Sequence, residues 1–375
     1  MHPTVRVTQS TMVYRILNLF LLLVLAVPLA AQSGRVKKKE DKKDEKKPAG
    51  KKYNPTQKVK PTPKPTKTPP PGPNERLRKV GENTADEIRV DSTLVPIPVS
   101  VIDNATGKAL EQLRLQDFEL AIDGEPAIIS EIFRSESPVR LALLFDNSSS
   151  VTVAREFEQT AAIRFFRRVL RPRLDLAALY SVASVTYLEQ PLTKDVRLLI
   201  NAIKAFPQPE GATALHDSII EASNYLKEQR GRKVIVVVSD GQDTLSDYTF
   251  DTMVQEVQKN NCQVYIVHTN EFENFKRTGA RTGSANLRAL AAERRMRSLA
   301  AQTGGAVYSP IDERELDLAF SQISAELSSQ YILGYYPENE VKDGGFRKID
   351  LNVITDSDIT VRSRTGYFAG RKGID

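Results

Sequence analysis

From Leu94 onward the chain alternates between two rhythms. Val95, Ile97, Val99 and Val101 stand two apart with polar or Pro residues between them, the pattern of a half-buried strand. Its two prolines predict a strand at a sheet edge. A turn at 103–107 follows. Phe118, Leu120 and Ile122 then alternate up to Asp123-Gly124, a hairpin signal that predicts a returning strand over 127–132.

At Val139 the rhythm changes. Leu141-Ala142-Leu143-Leu144-Phe145 is continuously apolar, as is Lys233–Ser239 apart from its ends, and Cys262–His268 is nearly so. Such runs suit strands buried on both faces of a parallel sheet. Shorter strands are predicted at 174–180, 185–188 and 307–308. Between the strands the apolar spacing is helical, predicting helices over 153–170, 196–206, 214–226, 249–259, 287–302 and 313–327. Strands alternating with helices of this length define an α/β fold with a doubly wound, mostly parallel sheet. Beyond Ser329 alternation returns at Tyr331, Leu333 and Tyr335, at Ile349, Leu351 and Val353, and over 359–361 and 367–368. Neither β flank holds enough apolar surface for a core of its own. The economical solution is one β-sandwich built from both, with the α/β part inserted between them. The boundaries expected are a β segment at 88–137, the α/β domain at 138–329 and a second β segment at 330–375.

Composition alters this picture at the N-terminus. The formal charge of the 375 residues is +6, but residues 1–87 hold 19 Lys/Arg against 8 Asp/Glu, which leaves the rest net acidic. The basic character belongs to a tail, so a nucleic-acid-binding core is not expected. Arg15 precedes an apolar run from Ile16 to Ala31 that is short for a spanning helix and ends in small residues. Residues 1–31 are therefore expected to be a secretory signal, the alternative being an uncleaved anchor. Residues 32–87 are rich in Lys and Pro and are expected to be a disordered linker, either a plain spacer or a segment attracted to an anionic cell-wall or membrane surface. Either way the protein is expected to be secreted or periplasmic and associated with the cell envelope. A single Cys, Cys262, rules out an intramolecular disulfide framework, and three His make a His-rich metal site unattractive.

The chemistry gathers where the buried strands end. The first ends in Asp146-Asn147-Ser148-Ser149-Ser150, and the second in Ser239-Asp240-Gly241-Gln242-Asp243. Gly211-Ala212-Thr213 stands just before a helix. In a doubly wound sheet these loops meet at the carboxyl edge, where ligands bind. Asp146, Ser148, Ser150, Thr213 and Asp240 then form a set of hard oxygen donors suited to Mg²⁺, with Mn²⁺ or Ca²⁺ as alternatives. Asp243 is either a further water-mediated ligand or a turn residue.

With its DxSxS loop after LALLF, its Thr213 loop and its Ser239-Asp240-Gly241 loop, the sequence resembles the von Willebrand factor type A domain over about 139–327. The resemblance implies a metal-ion-dependent adhesion site. Asp146, Ser148 and Ser150 would be direct ligands, Thr213 would come from a second loop, and Asp240 would act through water. Ser149 stands where that family usually has Gly, and Val151 where it usually has Met. The flanks, with Asp117-Phe118, Asp123-Gly124, Tyr331–Pro337 and Gly366-Tyr367-Phe368, are similar to those of exported bacterial members. The function expected is an adhesion or assembly module that captures a Glu or Asp carboxylate of a protein partner through the ion. The alternatives are a metal-independent, wall-associated scaffold and a serine hydrolase using Ser148 with His216 and Asp217. The hydrolase lacks a Gly-x-Ser-x-Gly elbow, and no enzyme activity is expected. Cys262 is read as a core thiol, Tyr335 and Tyr336 as packing residues, and Arg288, Arg294, Arg295 and Arg297 as a solvated helix face.

Overall fold

The computed structural model describes residues 94–134, 137–149, 155–279, 287–337 and 341–370. The expected signal, the Lys/Pro linker, residues 88–93, Ser150 and Val151 lie outside the described residues.

The chain opens with strand β1 (Val95–Asp103), followed by the short strands β2 (Phe118–Ile122) and β3 (Glu125–Ala127) and then β4 (Ile129–Arg134). The α/β part begins with β5 (Val139–Asp146) and α1 (Arg155–Val169). It continues through β6 (Leu176–Val182), β7 (Thr186–Thr193), α2 (Val196–Lys204), α3 (Leu215–Leu226) and β8 (Arg232–Ser239). Next come α4 (Phe250–Lys259), β9 (Cys262–His268), α5 (Asn270–Thr278), α6 (Leu287–Thr303), β10 (Val307–Tyr308) and α7 (Glu313–Ser329). Four strands close the described chain: β11 (Tyr331–Tyr335), β12 (Phe346–Val353), β13 (Ile359–Ser363) and β14 (Gly366–Phe368).

The central sheet has the order β10-β9-β8-β5-β6-β7. All neighbours are parallel except β6 and β7, and β7 carries Pro191 at the free edge. The apolar runs of the sequence are the interior strands. Side chains alternate between two cores: Leu141, Leu143 and Phe145 pack with α1 and α7, and Ala142 and Leu144 pack with α3, α4 and α6. Burying each large aliphatic side chain contributes about 1.5–3 kcal/mol, so a strand such as β5 is specified from both faces at once.

The flanks form two four-stranded sheets, β13-β1-β11-β4 and β14-β12-β2-β3. Each mixes strands from before and after the α/β part, and their inner faces share one core that includes Ile97, Val99, Leu120, Tyr331, Leu333 and Ile349. The fold is thus α/β, with antiparallel flanks joined around the insertion.

One expectation requires correction. β1 is not an edge strand: it pairs with β11 over 95–99 and with β13 over 99–103. Both prolines fall in the half that β13 does not reach, so the missing N–H groups disturb no second ladder. On that half Arg364 Nη2 donates to the Pro96 carbonyl at 2.8 Å.

Candidate functional site

Register brings the site together. β5 and β8 are aligned so that Phe145 lies beside Val238, and Asp146 is paired with Val182 of β6. Asp146 and Ser239 therefore end neighbouring strands at the same level, and Asp146 Oδ2 accepts from Ser239 Oγ at 2.6 Å. Its other oxygen accepts from Ser148 N at 3.0 Å, which curls the first loop back over the strand end. Ser239 Oγ in turn accepts from Gly241 N at 3.0 Å, which shapes the loop that presents Asp240. Both oxygens of Asp240 accept from Gln242, one from the backbone and one from the side-chain amide, each at 3.0 Å.

The Thr213 loop is fixed from three sides. Gly211 has φ +79°, and a Cβ there would lie 2.7 Å from Ser184 Oγ, so glycine is required. Thr213 N donates to Thr244 Oγ1 at 3.0 Å, and its carbonyl accepts from the backbone N–H groups of Thr244 and Leu245. Ser149 Oγ donates to the Gly211 carbonyl at 3.1 Å. The residue that departs from the usual Gly thus ties the first loop to the second. Asn147 is equally anchored: its N donates to Val182 O at 2.7 Å and its Oδ1 accepts from Arg155 Nη1.

Asp146, Ser148, Thr213 and Asp240 are all buried, none more than 5% exposed. Burial and the charge of Asp240 push the Asp146 carboxyl up to about 6, against hydrogen bonds from Ser148 and Ser239. Among the described residues no basic side chain hydrogen-bonds to either carboxylate. No three His, Cys, Asp or Glu side chains cluster as a metal site among those residues either. The donors that do gather are two carboxylates and neutral hydroxyls, an excess of buried negative charge that fits a hard divalent cation.

Four of the five expected ligands therefore reach one edge, and Ser150 lies outside the described residues. Asp243 serves the fold: its Oδ1 accepts from Leu215 N at 2.8 Å and His216 N at 3.3 Å, capping α3. His216 places Nδ1 3.2 Å from the Tyr248 carbonyl and 3.5 Å from Asp243 Oδ2. Asp217 accepts from the N–H groups of Asp247 and Tyr248, so the dyad His216-Asp217 suggested by adjacency is not formed.

Glu158 was not anticipated. It stands on α1 at 1% exposure, and burial together with the charges of Glu273 and Asp146 pushes its carboxyl well above its ordinary value. Its spacing to Ala162, Phe165, Phe166 and Val169 was the available signal, because it puts a carboxylate on the buried stripe of the helix.

The fold and site define a doubly wound α/β domain that presents an oxygen-rich loop cluster at its carboxyl edge. Residues 141–242 match the von Willebrand factor type A domain. The chain carries a domain of that family. Among solved structures it is similar to an aerotolerance-related membrane protein from Bacteroides fragilis NCTC 9343, at 15% identity over 50% of this chain and 98% of that one, with a TM-score of 0.38. It is also similar to BatB from Bacteroides thetaiotaomicron, at 14% identity over 51% and 100%, with a TM-score of 0.39. A third similarity is to the pilus adhesin SpaC from Lactobacillus rhamnosus GG, at 8% identity over 68% of this chain and 47% of that one, with a TM-score of 0.41. No curated protein matches the chain.

Proposed function

We propose that the protein is an interaction module that binds a partner protein through a divalent ion at the carboxyl edge of the central sheet. The observation that carries this reading is the buried pair Asp146 and Asp240, which meets without a basic partner among the described residues. Asp146, Ser148, Ser150 and Thr213 would hold the ion directly, with Asp240 reached through water. Mg²⁺ is the first choice, with Mn²⁺ or Ca²⁺ as alternatives. When bound, the ion supplies a Lewis-acidic position that accepts a Glu or Asp carboxylate of the partner.

The chain's own residues prepare that position. Ser239 and the Ser148 N–H orient Asp146, Ser149 ties the first loop to Gly211, and Thr244 holds Thr213 in place. With Asp146 as the one direct carboxylate among neutral hydroxyls, and Asp240 held off by water, the loaded ion would keep positive charge in its own ligand shell, which favours an acidic partner group over a neutral one. The reading assigns the chain no catalytic step.

The short apolar run behind Arg15 supports export, with residence at the cell surface or envelope and the Lys/Pro segment directed to an anionic surface. No helix of the described residues is long and apolar enough to cross a membrane.

Calorimetry with Mg²⁺ and Mn²⁺ on wild type and Asp146→Ala tests the site, and affinity capture with and without EDTA tests its use. Uptake of ion by wild type only, with capture abolished by EDTA, is expected. A wild type that takes up no divalent ion at millimolar concentration would overturn the reading in favour of the metal-independent scaffold.

A further inference from the structure

A cavity of about 380 Å³ lies at the opposite end of the central sheet, where the amino ends of β8 and β9 meet strands β1 and β11 of the flanks. Its lining includes the apolar Pro98 and Ile332 and the neutral polar Gln263. Three cationic residues line it, Arg232, Lys233 and Arg364, of which Arg232 turns its Nη donors to the Leu327 carbonyl and Gln330 Oε1. No Asp or Glu is among the described residues that line it. This volume falls within the range of small-molecule sites.

Arg364 is the telling residue. It is 8% exposed, and it lies just after β13, where the chain passes so close to Gly304 that a Cβ on that glycine would come within 2.6 Å of Arg364 N. Its Nη1 donates to Asn261 Oδ1, and its Nη2 donates to the Pro96 carbonyl at 2.8 Å. Its Nε–H is buried and has no hydrogen-bond partner among the described residues. Both acceptors are neutral, and the Tyr367 ring centroid 5.8 Å from the guanidinium carbon adds only a cation–π contact, so among the described residues the buried guanidinium meets no carboxylate and keeps a donor left over. Burial pushes its pKa down to about 10, and burial does the same to Arg232. Among the described residues Lys233 Nζ likewise donates to backbone carbonyls, those of Lys227 and Asn260.

We infer that this cavity is a binding site for a small organic oxyanion, a carboxylate or a phosphate ester, with Arg364 as its principal anchor and Lys233 at its rim. A planar fork of N–H donors matches either oxyanion, and an oxyanion there offsets the charge that the fold leaves buried. The apolar lining residues Pro98 and Ile332 suit the carbon skeleton of such a ligand. The site is separate from the carboxyl edge and independent of the metal reading, because it stands at the other end of the strands.

The test is calorimetry on the full chain in EDTA, with chloride used to hold ionic strength constant. Citrate and inorganic phosphate serve as probes that separate the two sources of oxyanion. Saturable one-to-one binding of at least one probe is expected in wild type. Arg364→Met, which removes the charge and keeps much of the volume, should abolish it. Should Arg364→Met fail to fold, Lys233→Met carries the test, since Lys233 is only partly buried; its affinity should fall about tenfold, the loss of one charge-assisted hydrogen bond. Absence of saturable binding for both probes overturns the inference, and so does an affinity unchanged in Lys233→Met.

Discussion

Replacing Asp146 by Asn should make the metal-free protein more stable at neutral pH. The carboxyl is 1% exposed, and burial with the charge of Asp240 lifts it from 3.8 to about 6. At about 1.36 kcal/mol per pH unit, that displacement is about 3 kcal/mol. The sign follows from proton counting. Below about pH 4 the group is protonated in the folded and the unfolded chain, and no penalty exists. Between about 4 and 6 the unfolded chain releases its proton first, so stability falls as pH rises, and above the folded value the loss is complete. Asn removes that loss. It also offers one acceptor oxygen in place of two, so either the Ser239 or the Ser148 hydrogen bond is given up, at about 1 kcal/mol. The variant should therefore be about 2 kcal/mol more stable than wild type at pH 8, about 4 °C in Tm, and about 1 kcal/mol less stable at pH 4. Urea denaturation from pH 4 to 8, on protein dialysed free of divalent ions, measures this. If Asp146→Asn is destabilised equally at both ends of the range, the carboxylate is not under electrostatic load and the argument fails. Adding millimolar Mg²⁺ should raise the wild type and leave the variant unmoved, by mass action on the folded state.

The acid side should report on Asp175. Burial pushes its carboxyl up, but hydrogen bonds from Arg171 and Val139 outweigh that and hold it below the ordinary value, so its contribution is present at neutral pH and lost as pH falls below about 3.8. Asp175→Asn should cost about 2–3 kcal/mol at pH 7 and flatten the acid limb of a pH-dependent melt. Glu326→Ala removes the common acceptor of Tyr265, Tyr308 and Arg362, and chemical denaturation should show a loss of about 3 kcal/mol. At Gly305 a Cβ would stand 1.8 Å from the Val264 carbonyl oxygen, so Gly305→Ala should fail to give soluble protein on expression. Burial pushes the Cys262 thiol up to about 12, and native protein at pH 8 should resist iodoacetamide until denaturant is added.

The central sheet was legible because two-sided burial writes continuous apolar runs into β5, β8 and β9, and the carboxyl-edge loops follow from where those runs stop. The pairing of the two flanks was legible from insufficiency, since neither held a core alone. What escaped depended on partners distant in sequence. Helix α5 is rich in Asn, Glu, Lys and Arg, and Phe272 is its only buried residue, so its apolar rhythm is too sparse to read. Its αL cap at Gly279 was the remaining trace. The place of β1 inside its sheet was hidden because its prolines occupy only the half with one partner. The role of Asp243 as the cap of α3 required knowing that its loop folds back on Leu215 and His216.

Strands β4 and β11 lie side by side, with Arg134 opposite Tyr331 and Ile132 opposite Leu333. Seen from the sandwich, everything between Arg134 and Tyr331 is the loop of a β-hairpin that has grown into a domain. Such a topology makes the α/β part a cartridge: it enters and leaves through adjacent positions on one ladder. Its replacement by a short turn would close the hairpin and leave the strand order of the sandwich unbroken. A pull applied at the carboxyl edge of the central sheet has its covalent route into the sandwich through that single pair of neighbouring strands, while side-chain ties such as Arg362 to Glu326 and Arg364 to Asn261 carry part of the load to β13 and the residue after it.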